Sequence, residues 1–210
     1  MLYLSGHPIL VLTGSMQKSL DMLFTPPKPL LAGRLIFDLD PSHGLLKTVK
    51  NFTALCTGEK GMCKNARNKK LHYLDCPMHR VVKGFVAQGG DITRGDGGGG
   101  EVSCVVSCSN SLTPSQSIYG GKFDDDKAGL KTKFKRGSLA MANSGKNTNS
   151  SQFFVVLTND EPQLAKLDGK YVHFGQLRDG WEVLDALDSV GGGGDGKPIE
   201  PAWVGGCGLI

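Results

Sequence analysis

The sequence predicts an all-β fold, built from short strands joined by tight turns and accompanied by two amphipathic helices. Two observations support this class. The 210 residues include 30 glycines, which suit tight turns between short strands better than long helices. Short apolar stretches rich in Val, Phe, Leu and Ile recur between these glycines, as expected for strands. The chain is long enough to enclose one hydrophobic core.

The composition and charge of the chain disfavour several classes of protein. Hydrophobic residues make up 39% and charged residues 21% of the chain, as in ordinary globular proteins. No apolar run approaches the ~20 residues needed to cross a bilayer, so we expect no membrane segment. The net charge is +4, but the basic stretches 64–70 and 131–136 contain few aromatic residues, and nucleic-acid binding is not favoured. We expect a monomer in the cytoplasm, with the nucleus as the alternative compartment.

Residues 1–30 are predicted to form an N-terminal extension and linker, and residues 31–210 the folded domain. Met1–Thr13 contains no arginine and no basic start, which argues against a mitochondrial or secretory signal. The run Pro26-Pro27-Lys28-Pro29 is typical of a linker. We therefore expect the first 30 residues to be disordered or loosely docked.

The elements of the domain follow in order along the chain. Gly33–Asp40 alternates apolar and polar residues and predicts a half-buried strand. Lys47–Cys56 has apolar side chains at helical spacing and stops before Gly58, which predicts an amphipathic helix. Further on, the same criteria predict strands over Gly137–Asn143, Phe153–Thr158 and Tyr171–Leu177, a helix over Trp181–Val190 and a last strand over Ile199–Ile210.

The stretch Met78–Asp91, MHRVVKGFVAQGGD, is the first candidate for a functional site. Its apolar residues predict a strand with a kink at Lys83–Gly84. Because alternate residues of a strand share a face, Arg80, Val82, Phe85 and Gln88 would converge on one surface. A guanidinium, an aromatic ring and an amide together suit a small apolar ligand that also needs one polar bond. The alternative is an ordinary strand with exposed polar side chains.

The six cysteines do not follow a metal-binding pattern, since no pair has C-x-x-C spacing. The run Gly191–Lys197 has the spacing of a phosphate-binding loop, but Pro198 occupies the position that needs Ser or Thr. The sequence therefore predicts neither a metal nor a nucleotide cofactor. Free thiols in a reducing compartment are the expectation.

Two stretches together closely resemble the signature segments of the cyclophilins, the cyclosporin-binding peptidyl-prolyl cis-trans isomerases. The first is Met78–Asp91, and the second is MANSGKNTNSSQFF from Met141 to Phe154. Shorter matches occur at Thr57–Gly61, Ser117–Gly120 and Leu167–Lys170. The resemblance implies an eight-stranded antiparallel closed barrel with a helix at each end and the active site on its outer wall. It also implies turnover of X-Pro bonds without a cofactor, in proline-containing peptides and proteins.

The resemblance implies a set of site residues. Arg80 would direct its N–H groups at the proline nitrogen, and Phe85 would hold the proline ring. Gln88 and Asn143 would bind the substrate backbone. These four residues match the catalytic positions of the family. The matching substrate-binding positions are His79, Val82, Val86, Gly121, Ala142, Ser144, Gln152, Phe154, Lys166, Leu167 and Tyr171.

Several positions depart from the family pattern. Lys166 stands where tryptophan is common, so we expect weakened cyclosporin binding with retained turnover of short peptides. Val86 replaces a larger methionine and makes the pocket floor shallower, and Gly121 opens the neighbouring pocket. Residues 102–116 interrupt the pattern and are interpreted as a surface insertion, since such insertions are tolerated at little entropic cost.

The basic loop 61–70, together with Cys56 and Cys207, resembles the divergent-loop subclass of the family. That resemblance implies two cysteines close enough to form a redox-sensitive disulfide. The equally weighted alternative is a pair of inert buried thiols.

Two other functions stay open from sequence. The first is a proline-peptide binding scaffold without turnover, for which Arg80 would have no purpose. The second is an RNA-associated isomerase that uses the basic loops.

Overall fold

The computed structural model describes residues 8–14, 30–40, 42–63, 68–98 and 116–210. The predicted linker at residues 26–29 and nearly all of the predicted insertion 102–116 lie outside these ranges. Across the described ranges, no helix combines the length and the apolar character that a bilayer span requires.

The centre of the fold is one curled, eight-stranded antiparallel sheet. Its strands lie in the order β3-β4-β6-β5-β7-β2-β1-β8. Backbone hydrogen bonds also join the two ends of this order: the Met78 N–H donates to the Ala202 carbonyl at 2.8 Å, and the Val204 N–H to the Cys76 carbonyl at 2.8 Å. The strands are β1 Pro8–Gly14, β2 Leu30–Leu39, β3 Arg80–Val82, β4 Val86–Gly89, β5 Ser138–Met141, β6 Phe153–Val156, β7 His173–Asp179 and β8 Ala202–Leu209.

Three α-helices accompany the sheet within the described residues: α1 Leu46–Thr57, α2 Glu161–Leu164 and α3 Trp181–Ser189. The two predicted amphipathic helices, α1 and α3, are confirmed to within one residue at each end. The helix α1 ends at Thr57, and the next residue, Gly58, caps it: Gly58 adopts φ 70° and donates its N–H to the Ala54 carbonyl at 2.9 Å. Periodicity did not predict α2, because a single turn is too short to show a helical repeat.

The N-terminal prediction is wrong for Pro8–Gly14. These residues, which are predicted to belong to an extension, form β1 between β2 and β8. Ile9, for example, lies opposite Ile36 on one side and Gly208 on the other. Insertion of β1 pairs backbone groups that would otherwise remain unpaired on both neighbouring strands.

The stretch Met78–Asp91 forms a hairpin rather than one kinked strand. In the β3–β4 ladder Arg80 lies opposite Gln88, and Val82 lies opposite Val86. Gly84 makes the turn at φ 66° and donates its N–H to the Asp188 carboxylate at 2.7 Å. Cross-strand pairing, not alternation within one strand, therefore brings the guanidinium and the amide together.

The two faces of the sheet carry separate apolar clusters. Val81, Ala87 and Phe153 face inward and join the main core. Val86 and Phe154, their neighbours in sequence, face outward and join a second cluster. This division follows from the alternation of side chains along a strand. The outer cluster forms the floor of the candidate site.

Candidate active site

A cavity of about 190 Å³ lies on the outer face of the sheet, above the second apolar cluster. Its walls come from the β3–β4 hairpin, the end of β5, strand β6 and the turn that follows α2. It therefore combines residues distant in sequence. The lining consists of Arg80, Phe85, Val86, Gln88, Ala142, Asn143, Phe154, Lys166, Leu167 and Tyr171.

Aromatic packing fixes the floor of this cavity. The Phe154 ring lies edge-on to Tyr171, with centroids 5.2 Å apart and an interplanar angle of 86°. On another side it stacks with Phe134 at 6.0 Å and 22°. Leu167 is buried, and its N–H bonds to the Leu164 carbonyl at 2.9 Å, which attaches it to the end of α2. These contacts hold an apolar recess ready to receive a small ring.

Arg80 supplies the cationic group of the cavity. No hydrogen bond or ion pair from its guanidinium occurs within the described part of the chain. Its stem passes over Gly196, where an added Cβ would lie 2.9 Å from the Arg80 Cγ. Gly196 also has φ +71° and accepts the Val81 N–H at its carbonyl at 2.7 Å. The glycine thus leaves room for the arginine, whose N–H groups remain available to a ligand.

Gln88 is oriented by a chain of amides behind the cavity. Its Nε2 donates to the Gln152 Oε1 at 2.9 Å, and the Gln152 Nε2 donates to the Gly97 carbonyl at 3.1 Å. The Gln88 oxygen consequently remains available as an acceptor. Gln152 is predicted to line the site. In the structure it lies behind Gln88 and is absent from the cavity lining.

Asn143 lies at the start of a tightly bonded loop. Its Nδ2 donates to the Lys170 carbonyl at 3.0 Å, and its Oδ1 accepts the Gly145 N–H at 3.2 Å. The loop is held from outside by Asp125, whose carboxylate accepts the Asn147 N–H at 2.9 Å. Among the described residues, neither the N–H nor the carbonyl of the Asn143 backbone has a partner. A bound peptide backbone could therefore pair with both.

A second, larger cavity of about 1040 Å³ adjoins the first and shares Arg80, Gln88 and Asn143 with it. The two cavities form one groove, and a chain bound in the first can continue into the second. The remaining lining comes from two loops and the segment before β3: Pro77, Met78, His79, Gly95, Asp96, Gly97, Gly98, Asp195, Lys197, Pro198, Ile199, Pro201 and Ala202.

His79 lines this second cavity instead of the first. Both ring nitrogens are buried and lack a hydrogen-bond partner within the described residues. Burial lowers the pKa of His79, and the nearby carboxylates of Asp91 and Asp96 oppose that shift. Gly97 lies against the ring, since a Cβ there would be 2.7 Å from the His79 Cδ2. The imidazole is therefore neutral at pH 7 and packs behind Arg80.

Three more of the predicted substrate-binding residues lie outside the 190 Å³ cavity. Val82 packs toward Gly196, where an added Cβ would be 2.8 Å from its Cγ2. Ser144 accepts a bond from the Lys122 Nζ at 3.3 Å, and Gly121 precedes that lysine.

Sequence reasoning missed Phe134, because a single aromatic residue within a basic run shows no periodicity.

Cys56 and Cys207 both carry free thiols. Burial is the main reason that the pKa of Cys56 is raised well above its usual value, and the nearby Cys207 adds to the shift. Burial also raises the pKa of Cys207 to about 12. Both groups are protonated at neutral pH, which suppresses thiolate chemistry. The disulfide of the divergent-loop subclass stays a prediction, and residues 64–67 of that loop lie outside the described ranges.

A comparison with protein-family models agrees with this geometry. The model described as cyclophilin type peptidyl-prolyl cis-trans isomerase/CLD matches residues 28–209. The match includes both cavities and seven of the eight strands, and only β1 precedes it.

Proposed function

Because the chain belongs to the cyclophilin-type peptidyl-prolyl cis-trans isomerase family, we propose that it catalyses isomerisation of X-Pro bonds in peptides and proteins. One observation carries the proposal. An arginine whose guanidinium has no hydrogen-bond or ion-pair partner among the described residues stands beside an apolar recess that suits a proline ring. By catalysing this step the protein would assist the folding of its clients.

The reaction requires no bond to be broken. The amide barrier of roughly 18–20 kcal/mol is the resonance lost as the C–N bond twists. A catalyst must therefore bind the twisted state more tightly than either planar isomer. In the twisted state the proline nitrogen becomes pyramidal and acquires a lone pair. An N–H of the Arg80 guanidinium, which stays charged and planar, is suited to donate to that lone pair.

The remaining groups hold the substrate while the bond turns. The proline ring would be held in place by Phe85, Phe154 and Leu167 while the preceding carbonyl rotates about the C–N bond. Gln88 would accept a bond from the substrate backbone, and Asn143 would pair with it as a strand does. The recess of about 190 Å³ is smaller than the ~300–1000 Å³ of typical ligand sites. We therefore expect the peptide to extend out of the recess and to continue in part into the adjoining larger cavity.

The test compares the parent protein with Arg80→Ala in a proline-limited peptide isomerisation assay. The control is Arg178→Ala, which removes the same charge from an exposed arginine on β7 that pairs with Asp38. We expect Arg80→Ala to lose most of the acceleration and the control to keep it. Peptide binding is measured in parallel. A parent protein that binds the peptide without accelerating its isomerisation would overturn the proposal and favour the scaffold function.

Further features belong to the same proposal. We infer that the curled sheet closes into a barrel, supported by the backbone bonds of Met78 and Val204 across its two ends. Weakened cyclosporin binding is supported by Lys166 in the cavity lining. A monomer in the cytoplasm and a redox-sensitive Cys56–Cys207 pair remain predictions.

A further inference from the structure

The small cavity carries an excess of positive charge. Arg80 and Lys166 both line it, and no Asp or Glu appears among its described lining residues. Lys166 is exposed, and within the described ranges its ammonium group has no ion pair or hydrogen bond. Two cations thus stand beside one recess without a carboxylate to neutralise either of them.

Three carboxylates of the surrounding loops are engaged by other groups. Asp168, two residues beyond Lys166, bonds to the Lys133 Nζ at 2.7 Å and to the Phe134 N–H at 3.2 Å. Asp125 accepts bonds from the Asn147 N–H and from the Asn149 Nδ2. Asp124 lies 3.5 Å from the Lys47 Nζ. These interactions occupy three carboxylates, and within the described residues Glu161 on α2 forms no ion pair with Lys166.

The larger cavity differs in this respect. Asp96 and Asp195 line it together with Lys197, although Asp96 also pairs with Arg94 at 2.8 Å. Charge is therefore mixed along the larger cavity and positive only around the proline recess. A peptide whose proline occupies the recess meets this uncompensated charge next to its proline, because Lys166 lines the recess and Arg80 lies between the recess and the larger cavity.

We propose that the site selects X-Pro substrates that carry an anionic side chain, a carboxylate or a phosphate, immediately next to the proline, with Lys166 as the specificity-determining residue. This inference rests on the proposed function and names its substrate class. Lys166 is exposed, so the interaction is that of a surface ion pair. We expect a roughly two- to five-fold preference, which decreases as salt screens the charges.

The experiment measures kcat/KM for peptides that differ only in one residue. That residue is Gln, Glu, Lys or phosphoserine, placed directly before the proline in one series and directly after it in another. Parent, Lys166→Gln and Lys166→Glu are compared at low and high salt. The matched control is Lys50→Gln, which removes the same charge from an exposed position on α1. For each variant, the kcat/KM of the Glu peptide and that of the Lys peptide are divided by the kcat/KM of the Gln peptide. A change in the overall activity of a variant therefore cancels.

In at least one series we expect the order phosphoserine, Glu, Gln, Lys for the parent at low salt. Lys166→Gln should reduce the Glu-to-Gln ratio toward one, Lys166→Glu should invert it, and Lys50→Gln should preserve it. If phosphoserine raises kcat/KM above that of the Gln peptide by more than Glu does, phosphate is the better anion. Equal increases would show that only the presence of a negative charge matters. Equal rates for Gln and Glu in both series, or a ratio that survives both Lys166 substitutions, would overturn the inference.

Failure of the proposed function has a different signature. If the Gln peptide is not isomerised by the parent at all, catalysis is refuted. The charge preference is then read from the dissociation constants of the same peptides, and the same ratios decide it.

Discussion

Arg80 and Gln88 lie directly opposite each other across the β3–β4 hairpin, and both side chains line the same cavity. Opposed residues in an antiparallel pair have Cβ atoms roughly 4.5–5.5 Å apart. The hairpin register therefore sets the spacing between the guanidinium and the amide. Any residue that holds either side chain from behind should affect turnover without touching the substrate.

Gln152 is the first such residue, because it accepts the Nε2–H of Gln88 and bonds to the Gly97 carbonyl. We expect Gln152→Ala to lower kcat/KM by about two- to ten-fold, the equivalent of one net hydrogen bond. Gln152→Glu retains the acceptor and should lose less. Equal losses for the two variants would contradict a positioning role.

Phe153 and Phe154 provide a matched pair on opposite faces of β6. Each substitution to Leu should lower the free energy of unfolding by about 1–3 kcal/mol, because both rings are buried in apolar clusters. Only Phe154→Leu should also reduce kcat/KM, since Phe154 lines the cavity. Urea unfolding and the peptide assay give the two readouts. Loss of activity in folded Phe153→Leu would show that the two faces are coupled.

Gly196 is predicted to be intolerant of any side chain. Its φ of +71° disfavours an L-residue, and a Cβ would contact the stem of Arg80. We expect Gly196→Ala to lower stability by roughly 1–2 kcal/mol and to reduce turnover through displacement of Arg80. Gly194→Ala is the control, because nothing lies within 4 Å of a Cβ there. Comparable effects in the two variants would refute this explanation.

Buried histidines should make stability depend on pH. Burial lowers the pKa of His79 and of His173 below their ordinary 6.5. Above pH 6.5 both are neutral in the folded and unfolded states, and their contribution is unaffected. As the pH falls below 6.5, the unfolded state takes up protons first, so the free energy of unfolding decreases until the lowered folded pKa is reached.

Denaturant titrations at pH values from about 5 to about 8 test this dependence, because that range brackets the ordinary pKa of histidine. His79→Gln and His173→Gln should each lose less stability over this interval than the parent does. Parallel curves for parent and variants would show that carboxylates alone cause the decrease.

Lys166→Trp tests the expectation about cyclosporin. Indole offers one N–H donor and a flat apolar face that an ammonium group lacks. We expect the variant to bind cyclosporin more tightly than the parent in a calorimetric titration. Unchanged affinity would remove Lys166 as the reason for weakened binding.

Local pattern predicted much of this molecule correctly. Periodicity located α1 and α3 to within one residue, because an amphipathic stripe shows its repeat over nine or more residues. The signature segments contain eight of the ten residues that line the small cavity, and the other two, Lys166 and Tyr171, directly flank the segment Leu167–Lys170. The side-chain types of these residues were sufficient to recognise the family, without knowledge of their three-dimensional arrangement.

Other features depended on partners distant in the chain. Pro8–Gly14 lies within the sheet because β2 and β8 offer edges on both sides, and both edges come from residues distant in the chain. The hairpin at Gly84, the withdrawal of Gln152 behind Gln88, and the position of His79 in the larger cavity likewise follow from packing. The amino-acid sequence by itself determined which groups could perform the chemistry. Only the tertiary structure decided which of them face the recess and which carboxylates are neutralised elsewhere, because pairing and burial join residues that are 60 or more positions apart, as in the Gln88–Gln152 bond with its separation of 64.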